Sequence, residues 1–312
     1  MDYAPIVMFV YNRADHFTQT YEALAKCPEA KNSILYVFSD GAKNAAAVPQ
    51  VKQVRQAVRV RARRRDFKDL LLTESPENKG LARSIIDGVT AVLNQHGRAI
   101  IIEDDNISSP YLLRYFNKAL RYFEGDKSVG ALSGYTPVIP FPREYGADIF
   151  SSYRSCSCCW ATWKDRWQNI DWELRSFPAF VANSDNVKKL SMTGNDRLIR
   201  LYRQTKGNGS SWSVRFGAHL VANDQKTIYP RYSYVQNIGC DESGTHSRGN
   251  DASKLRVDLT KAIPEPRMDK VVFNEAIQKS LKEHYSGGRL SDMKRYCAAK
   301  LIVFKEKRKK SV

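Results

Sequence analysis

Glu103, Asp104 and Asp105 follow directly on Ile100, Ile101 and Ile102, which places three carboxylates at the end of what reads as a buried strand. Neighbouring side chains of an extended chain point to opposite sides. That alternation predicts that one acid reaches a divalent ion while another reaches a ribose hydroxyl. Mg²⁺ or Mn²⁺ held by one or two carboxylates, with substrate phosphates completing the shell, is the usual arrangement for hard ions. A departing diphosphate needs such charge neutralisation, because negative charge builds on its bridging oxygen. Two more polar groups follow apolar runs in the same way: Asn12-Arg13 after Pro5–Tyr11, and Ser39-Asp40-Gly41 after Ser33–Phe38. Singly, each is also ordinary cap or turn chemistry. Gathered on one sheet edge they are more, since only Arg13 brings positive charge and the acids would repel one another without a cation.

The elements that must position these groups alternate from the first residues. Strands are predicted at Pro5–Tyr11, Ser33–Phe38, Asp69–Thr73 and Ala99–Ile102, and helices at Asp15–Cys27, Val51–Arg65 and Gly80–Gln95. Nearly continuous apolar strands in a repeated βα pattern predict an α/β fold, a doubly wound parallel sheet covered on both faces. Ligands of such sheets sit beyond the carboxyl ends of the strands. After Ser109 a helix runs to about Glu124, and Val129–Ser133 and Asp148–Tyr153 are short strand candidates. All five tryptophans lie between Trp160 and Trp212, as an aromatic core or a sugar-binding surface. Gly207-Asn208-Gly209 and the loop holding Gly239, Gly244 and Gly249 are candidates to close over a ligand.

Composition narrows the class. The chain has 312 residues, 42% of them hydrophobic, with Lys+Arg 50 against Asp+Glu 33 and a net charge of +17. This is a globular balance, not that of a disordered or disulfide-built chain. The positive excess favours phosphates, anionic lipid or nucleic acid. No apolar stretch approaches the length of a spanning helix, and Met1–Val10 lacks the features of a secretory leader, so a cytoplasmic protein is expected. Six cysteines fit a reducing compartment, and Cys156-Ser157-Cys158-Cys159 lacks the spacing of a zinc site.

Several segments, in their order, resemble the landmarks of a bacterial family of A-type glycosyltransferases: Val10–Arg13, Phe38–Gly41, Asn78–Ala82, Ile102–Asp105, Trp160–Trp163, Asn237–Gly239 and Gly244–His246. The plan is similar to family 2 sugar transferases and to N-acetylglucosaminyltransferase I, over roughly residues 5–250. The resemblance implies a Rossmann-like sheet with a mixed acceptor-binding lobe. Residues 1–133 would form the nucleotide-sugar half, 134–255 the acceptor half, and 256–312 a helical, basic, membrane-associating segment. It implies that Arg13 and Asp40 hold base and ribose, that Asp104 and Asp105 form the acidic motif with Asp105 on Mn²⁺ or Mg²⁺, and that Asn78 and Gly80 lie near the donor. Trp160, with Trp163, Asp165 and Trp167, would face donor sugar and acceptor, although the tryptophan spacing also fits a helical core stripe. His246 would complete the metal shell or touch the diphosphate.

An inverting transfer needs a carboxylate to take the acceptor proton. Similar sequences carry an aspartate where Ser210 stands here. The base then falls to Asp165, Asp196, Asp241 or Glu242, or the reaction retains configuration or is impaired.

Charge at the two basic segments completes the reading. The arginines from Arg55 to Arg65 read as a solvated helix face, with no nucleic-acid-binding pattern beside them, so the nucleic-acid partner is limited to the donor nucleotide. Leu301–Phe304, between Lys294, Arg295 and Lys300 on one side and Lys305–Lys310 on the other, resembles segments that adhere to anionic lipid at the inner face of a membrane. The expected activity is a metal-dependent, uridine-linked sugar transfer to a glycan or lipid-linked glycan in surface polysaccharide or lipopolysaccharide synthesis. A sugar-phosphate nucleotidyltransferase and a noncatalytic membrane- or polyanion-binding protein are the rivals; the first lacks its Gly-rich loop after strand one, where Asn12-Arg13-Ala14 stands.

Overall fold

The computed structural model describes residues 3–239, 256–269, 271 and 273–309. Four strands, β1 (Ile6–Val10), β2 (Ile34–Ser39), β3 (Asp69–Glu74) and β4 (Arg98–Glu103), pair in parallel in the order β3-β2-β1-β4. The helices between them are α1 (Ala14–Ala25), α2 (Val48–Ala62) and α3 (Leu81–His96). Every residue of β1 is buried, as expected for a central strand with helices on both faces. Helix α3 stops at Gly97, whose left-handed backbone (φ 76) lets its N–H reach Leu93 O at 2.8 Å and suits a residue without Cβ.

Beyond β4 come a short strand β5 (Asn106–Ser108), helix α4 (Leu112–Tyr122), then β6 (Val129–Ser133), β7 (Ile149–Ser152) and β8 (Cys159–Trp163). Helices α5 (Lys164–Trp167), α6 (Phe177–Ala182), α7 (Ser184–Ser191), α8 (Asp196–Gln204) and α9 (Trp212–Ala222) lead to β9 (Lys226–Pro230) and β10 (Val235–Asn237). The eight-stranded sheet reads β3-β2-β1-β4-β8-β6-β9-β7, and β5 with β10 forms a separate antiparallel ribbon.

The parallel β1–β4 sheet with its intervening helices is the expected α/β arrangement, and three features add detail to it. The sheet is mixed, because β8 runs antiparallel to both β4 and β6 and β7 runs antiparallel to β9. Strand β3 is an edge, alternately exposed along its length, so burial on both faces ends at β2. The sheet also continues through residue 133, since β7, β8 and β9 of the second half hydrogen-bond into it. The two halves share one framework.

The C-terminal helices α10 (Glu275–Ser286) and α11 (Arg289–Lys309) pack against this body. Ala299 and Ile302 of α11 are buried with Phe177, Phe180, Leu198 and Leu201 of α6 and α8. The basic terminal segment is therefore built into a core by one of its faces.

Candidate active site at the carboxyl rim of the sheet

The acidic triplet spans the end of β4 and a turn into β5. Only Glu103 belongs to the strand; Asp104 and Asp105 lie in the turn. Strand alternation therefore stops before the second acid, and the predicted divergence of the carboxylates does not occur. Instead Arg13 Nη2, from the loop after β1, donates to Asp104 Oδ1 at 2.5 Å and to Asp105 Oδ2 at 3.0 Å. Both aspartates face one guanidinium.

Asp105 is fixed from its other side. Asn106 and Asn237 are directly paired across the β5–β10 ribbon, and their side-chain amides donate to Asp105 Oδ1 at 3.0 and 2.9 Å. The backbone N–H of Ile238 donates to Asp105 O at 2.8 Å. Gly239 is buried against the carboxylate, where a Cβ would collide with Asp105 Oδ2. Glycine is required there by close approach. The hydroxyl of Thr20 on α1 donates to Asp104 O at 2.7 Å, which ties the turn to the helix after Arg13.

Burial makes this cluster electrostatically tense. It pushes the Glu103 carboxyl well above the ordinary range, with the Asp105 and Asp104 charges adding to it. Burial likewise pushes Asp104 up to about 7, against the opposing pull of Arg13. For Arg13 burial acts to lower the pKa, and the two aspartates outweigh it and raise it. Arg13 Nη1 is buried and has no hydrogen-bond partner among the described residues.

Asp40, at the end of β2, does something different from reading a base. Its Oδ1 accepts from the backbone N–H of Gly41 (2.9 Å) and Lys79 (2.8 Å), and its Oδ2 from Gly80 N–H (2.9 Å) and Asn78 Nδ2 (3.1 Å). A carboxylate offers about four acceptor positions, so all are engaged. Asn78 also donates to Gly41 O at 2.8 Å. Asp40, Asn78 and Gly80 thus form one bracket that fixes the loop entering α3, and a base N–H could bind Asp40 only by displacing one of these bonds. Arg55 of α2 supports the bracket from behind, donating to Ser39 Oγ (3.0 Å) and Ser75 O (2.7 Å).

A cleft of about 540 Å³ opens beside that loop, walled by Lys79, Gly80 and Arg83, by Trp172 and Glu173, and by Ser210 and Arg215. Helix α9 precedes β9, which runs parallel to β6, so the amino end of α9 lies on the same rim as that of α3. Ser210 therefore stands in the wall of a cleft at the carboxyl rim. Two carboxylates line it. Asp171 Oδ2 accepts from the N–H and hydroxyl of Ser176, both at 2.7 Å, and is engaged there. Glu173 is exposed in the cleft wall.

Other expected positions fall elsewhere. Trp160 is fully buried, stacked on Trp212 at 5.0 Å and Trp167 at 5.5 Å, so it offers no face to a sugar. Trp163 points to the other side of the sheet, where its Nε1 donates to Leu120 O at 3.2 Å. The Trp160–Trp163 spacing belongs to a strand, and the tryptophans build core. Asp165 is at the wrong rim: β8 is antiparallel to β4, so Trp163 pairs with Arg98 at the amino end of the sheet. There Asp165 bonds Lys127 and Arg166, each at 2.6 Å; burial would raise its pKa, and these cations hold it below the ordinary value. Asp196 is paired with Arg154 at 3.5 Å. The expectations at Asp241, Glu242 and His246 lie outside the described residues.

The arginines of α2 and its end are paired. Arg59 bonds Glu74, and Arg64 reaches Glu22 at 2.5 Å and Asp66 at 2.9 Å. Asn106 and Asn237 were not singled out from sequence as site residues. The signal for Asn106 is adjacency to the triplet; Asn237 stands in one of the landmark segments, but its role at Asp105 emerges only from the pairing of β10 with β5.

Whether a divalent ion suits the site can be judged from its donors. Asp104 and Asp105 present hard carboxylate oxygens on one side of a turn, both facing one guanidinium. Among the described residues no three His, Cys, Asp or Glu side chains converge on a metal position. The donor set fits an ion held by one or two carboxylates and completed by phosphate oxygens, and does not fit an all-protein cage.

No family model matches the sequence, and no curated protein matches it. Among solved structures, a crystal structure of S. aureus TarS is 11% identical, with 75% of this chain and 36% of that one covered at a TM-score of 0.45. A crystal structure of S. aureus TarS 1–349 is 12% identical, with 75% and 59% covered at a TM-score of 0.43. The chain thus spans about a third to three-fifths of those lengths. At such values the likeness carries no inference, and the functional reading rests on the residues themselves.

Proposed function

We propose that this chain is a glycosyltransferase of the A-type fold, moving a sugar from a uridine-diphosphate donor to a glycan acceptor. The observation that carries the reading is the acidic turn at the carboxyl rim: Asp104 and Asp105 turned to one side, opposite Arg13, whose buried Nη1 lacks a partner among the described residues. A diphosphate oxygen supplies the acceptor that this donor lacks, and a divalent ion on Asp105 would neutralise the charge that develops on the leaving diphosphate. Mn²⁺ or Mg²⁺ suits the oxygen donors.

In this reading the chain's own groups divide the work. Arg13 orients the diphosphate, while Asn106 and Asn237 hold Asp105 in one orientation. The Asp40 bracket gives the donor a rigid floor at Asn78–Gly80. The acceptor enters the cleft between that loop and Ser210. Its hydroxyl oxygen bonds to the anomeric carbon, the bond from that carbon to the diphosphate breaks with the electron pair leaving on the diphosphate, and the hydroxyl proton passes to Glu173. The outcome is inversion. Assembly of a bacterial surface polysaccharide or lipopolysaccharide, on a lipid-linked glycan in the cytoplasm, is the setting we assign to it.

Thermal stabilisation by ligand tests the reading, because ligand that binds only the folded state raises the midpoint. Uridine diphosphate and Mn²⁺ together should stabilise the full chain well beyond the sum of their separate effects, and Asp105→Ala should remove that synergy while leaving the unliganded midpoint within a few degrees. Unchanged synergy in the variant would overturn the metal assignment, and no response of the parent to any nucleotide diphosphate would overturn the transferase reading.

A further inference from the structure

Helix α11 is apolar on two opposite faces. The inner one, with Ala299, Ile302 and the buried Glu306, closes on α6 and α8. On the outer one Leu290, Met293, Cys297, Leu301 and Phe304 recur at spacings of three and four residues, a stripe roughly 80° wide at 3.6 residues per turn. All five are exposed: Leu290 by 82%, Met293 by 64%, Leu301 by 52% and Phe304 by 57%, with Cys297 also open to solvent. A contiguous exposed apolar stripe on a helix is a contact surface awaiting a partner.

Charge selects the partner. Lys294, Lys300, Lys305, Lys307 and Arg308 are exposed along the stripe. The two acids of the helix are withdrawn from it: Asp292 bonds Asn195 at 2.8 Å and Lys282 at 3.4 Å, and Glu306 is buried. The cations stay with the rings, Arg308 lying 5.4 Å from the Phe304 centroid and Lys300 5.4 Å from that of Tyr296. A two-fold pairing of the stripe with a second copy would bring these cations against themselves. Among the described residues no helix is long and apolar enough to cross a membrane. An in-plane helix with an apolar stripe and a cationic border is the form that lies on an anionic bilayer.

We propose that the outer face of α11 docks the protein on an anionic lipid surface, with Leu290, Met293, Leu301 and Phe304 entering the headgroup boundary and the flanking cations pairing with lipid phosphates. The inner face keeps the helix joined to the body, so docking fixes the whole molecule on the membrane plane, independently of whatever reaction the sheet rim performs.

Co-sedimentation of the full chain with vesicles tests this. Binding should occur on phosphatidylglycerol–phosphatidylcholine vesicles at low salt, fall at least about tenfold on phosphatidylcholine alone, and be released at about 0.5 M NaCl, where screening is short-ranged. Leu301→Ser with Phe304→Ser, and separately Lys300→Glu with Lys305→Glu, should each lower binding at least about tenfold. Circular dichroism and the thermal midpoint should stay at parental values, because the substituted side chains are exposed. Equal binding to neutral vesicles, or unchanged binding by both variants, overturns the proposal. So does a parent dimer that the Leu301/Phe304 variant dissociates while neither form binds vesicles, which would assign the face to a second copy. Truncation before α11 is not an equivalent test, since it also strips Ala299 and Ile302 from the core.

Discussion

Asn237 donates to Asp105 Oδ1 at 2.9 Å across a sequence separation of 132 residues, and its cross-strand neighbour Asn106 donates to the same oxygen at 3.0 Å. One carboxylate oxygen is thereby held by two amides, and the other is left toward Arg13. The ribbon of β5 and β10 exists, on this view, to aim a single side chain. Groups that orient a metal-binding carboxylate commonly affect metal affinity by about 10–100-fold when removed.

Asn237→Ala should therefore weaken Mn²⁺-dependent nucleotide binding by about that factor while leaving metal-free nucleotide binding near the parental level. Isothermal titration of uridine diphosphate with and without Mn²⁺ separates the two. Equal weakening in both conditions would mean that Asn237 contacts nucleotide or merely holds the ribbon.

The Asp40 bracket leads to a contrasting expectation. Asp40→Ala removes the acceptor for three backbone N–H groups, those of Gly41, Lys79 and Gly80, and for the Asn78 amide, at a cost of about 1–3 kcal/mol if the N–H groups find no replacement. Urea unfolding should report that loss, and the Lys79 and Gly80 amides should exchange faster with solvent. Affinity should fall for every nucleotide diphosphate alike. A loss confined to uridine would restore the direct reading of the base by Asp40.

Much of this arrangement was legible from residue order, and the failures have physical causes. The strands leading to Asn12, Asp40 and Glu103 announce themselves because buried parallel strands are nearly unbroken apolar runs. Asp104 and Asp105 were expected to diverge because extended geometry was carried one residue past the strand's end. Asp165 was set among the catalytic candidates because nothing local reveals that β8 runs against β4, and that reversal alone sends it to the far rim. Trp160 and Trp163 fit a helical stripe by spacing and occupy opposite faces of a strand. Long-range pairing decided the tryptophans and Asp165, and a sequence states it only indirectly.

Acid should loosen the tie between β7 and the segment after residue 256. Asp148, just before β7, is held below the ordinary carboxylate range by hydrogen bonds from Arg267, whose Nε lies 3.0 Å away. A depressed folded-state pKa contributes stability above the unfolded value of about 3.9, and that contribution disappears as pH falls through the still lower folded value. Parent and Arg267→Ala should thus differ by a constant amount in urea unfolding above about pH 5 and converge as pH falls through the lowered folded-state value. A difference that persists into acid would assign the contact to packing.

Glu173 carries the remaining expectation. It is the exposed carboxylate of the cleft wall that also holds Ser210, whereas Asp171 is engaged by Ser176. If Glu173 accepts the acceptor's proton, Glu173→Gln should lower kcat by about 10²–10⁴ and leave donor affinity intact, since the amide keeps shape and loses basicity. The fall should be in turnover, with donor KM nearly unchanged, and thermal stabilisation by donor nucleotide should match the parent. Asp241→Asn and Glu242→Gln make the decisive comparison. Loss of turnover in either of them, with Glu173→Gln fully active, would move the base to the segment after Gly239 and leave the cleft as a binding surface.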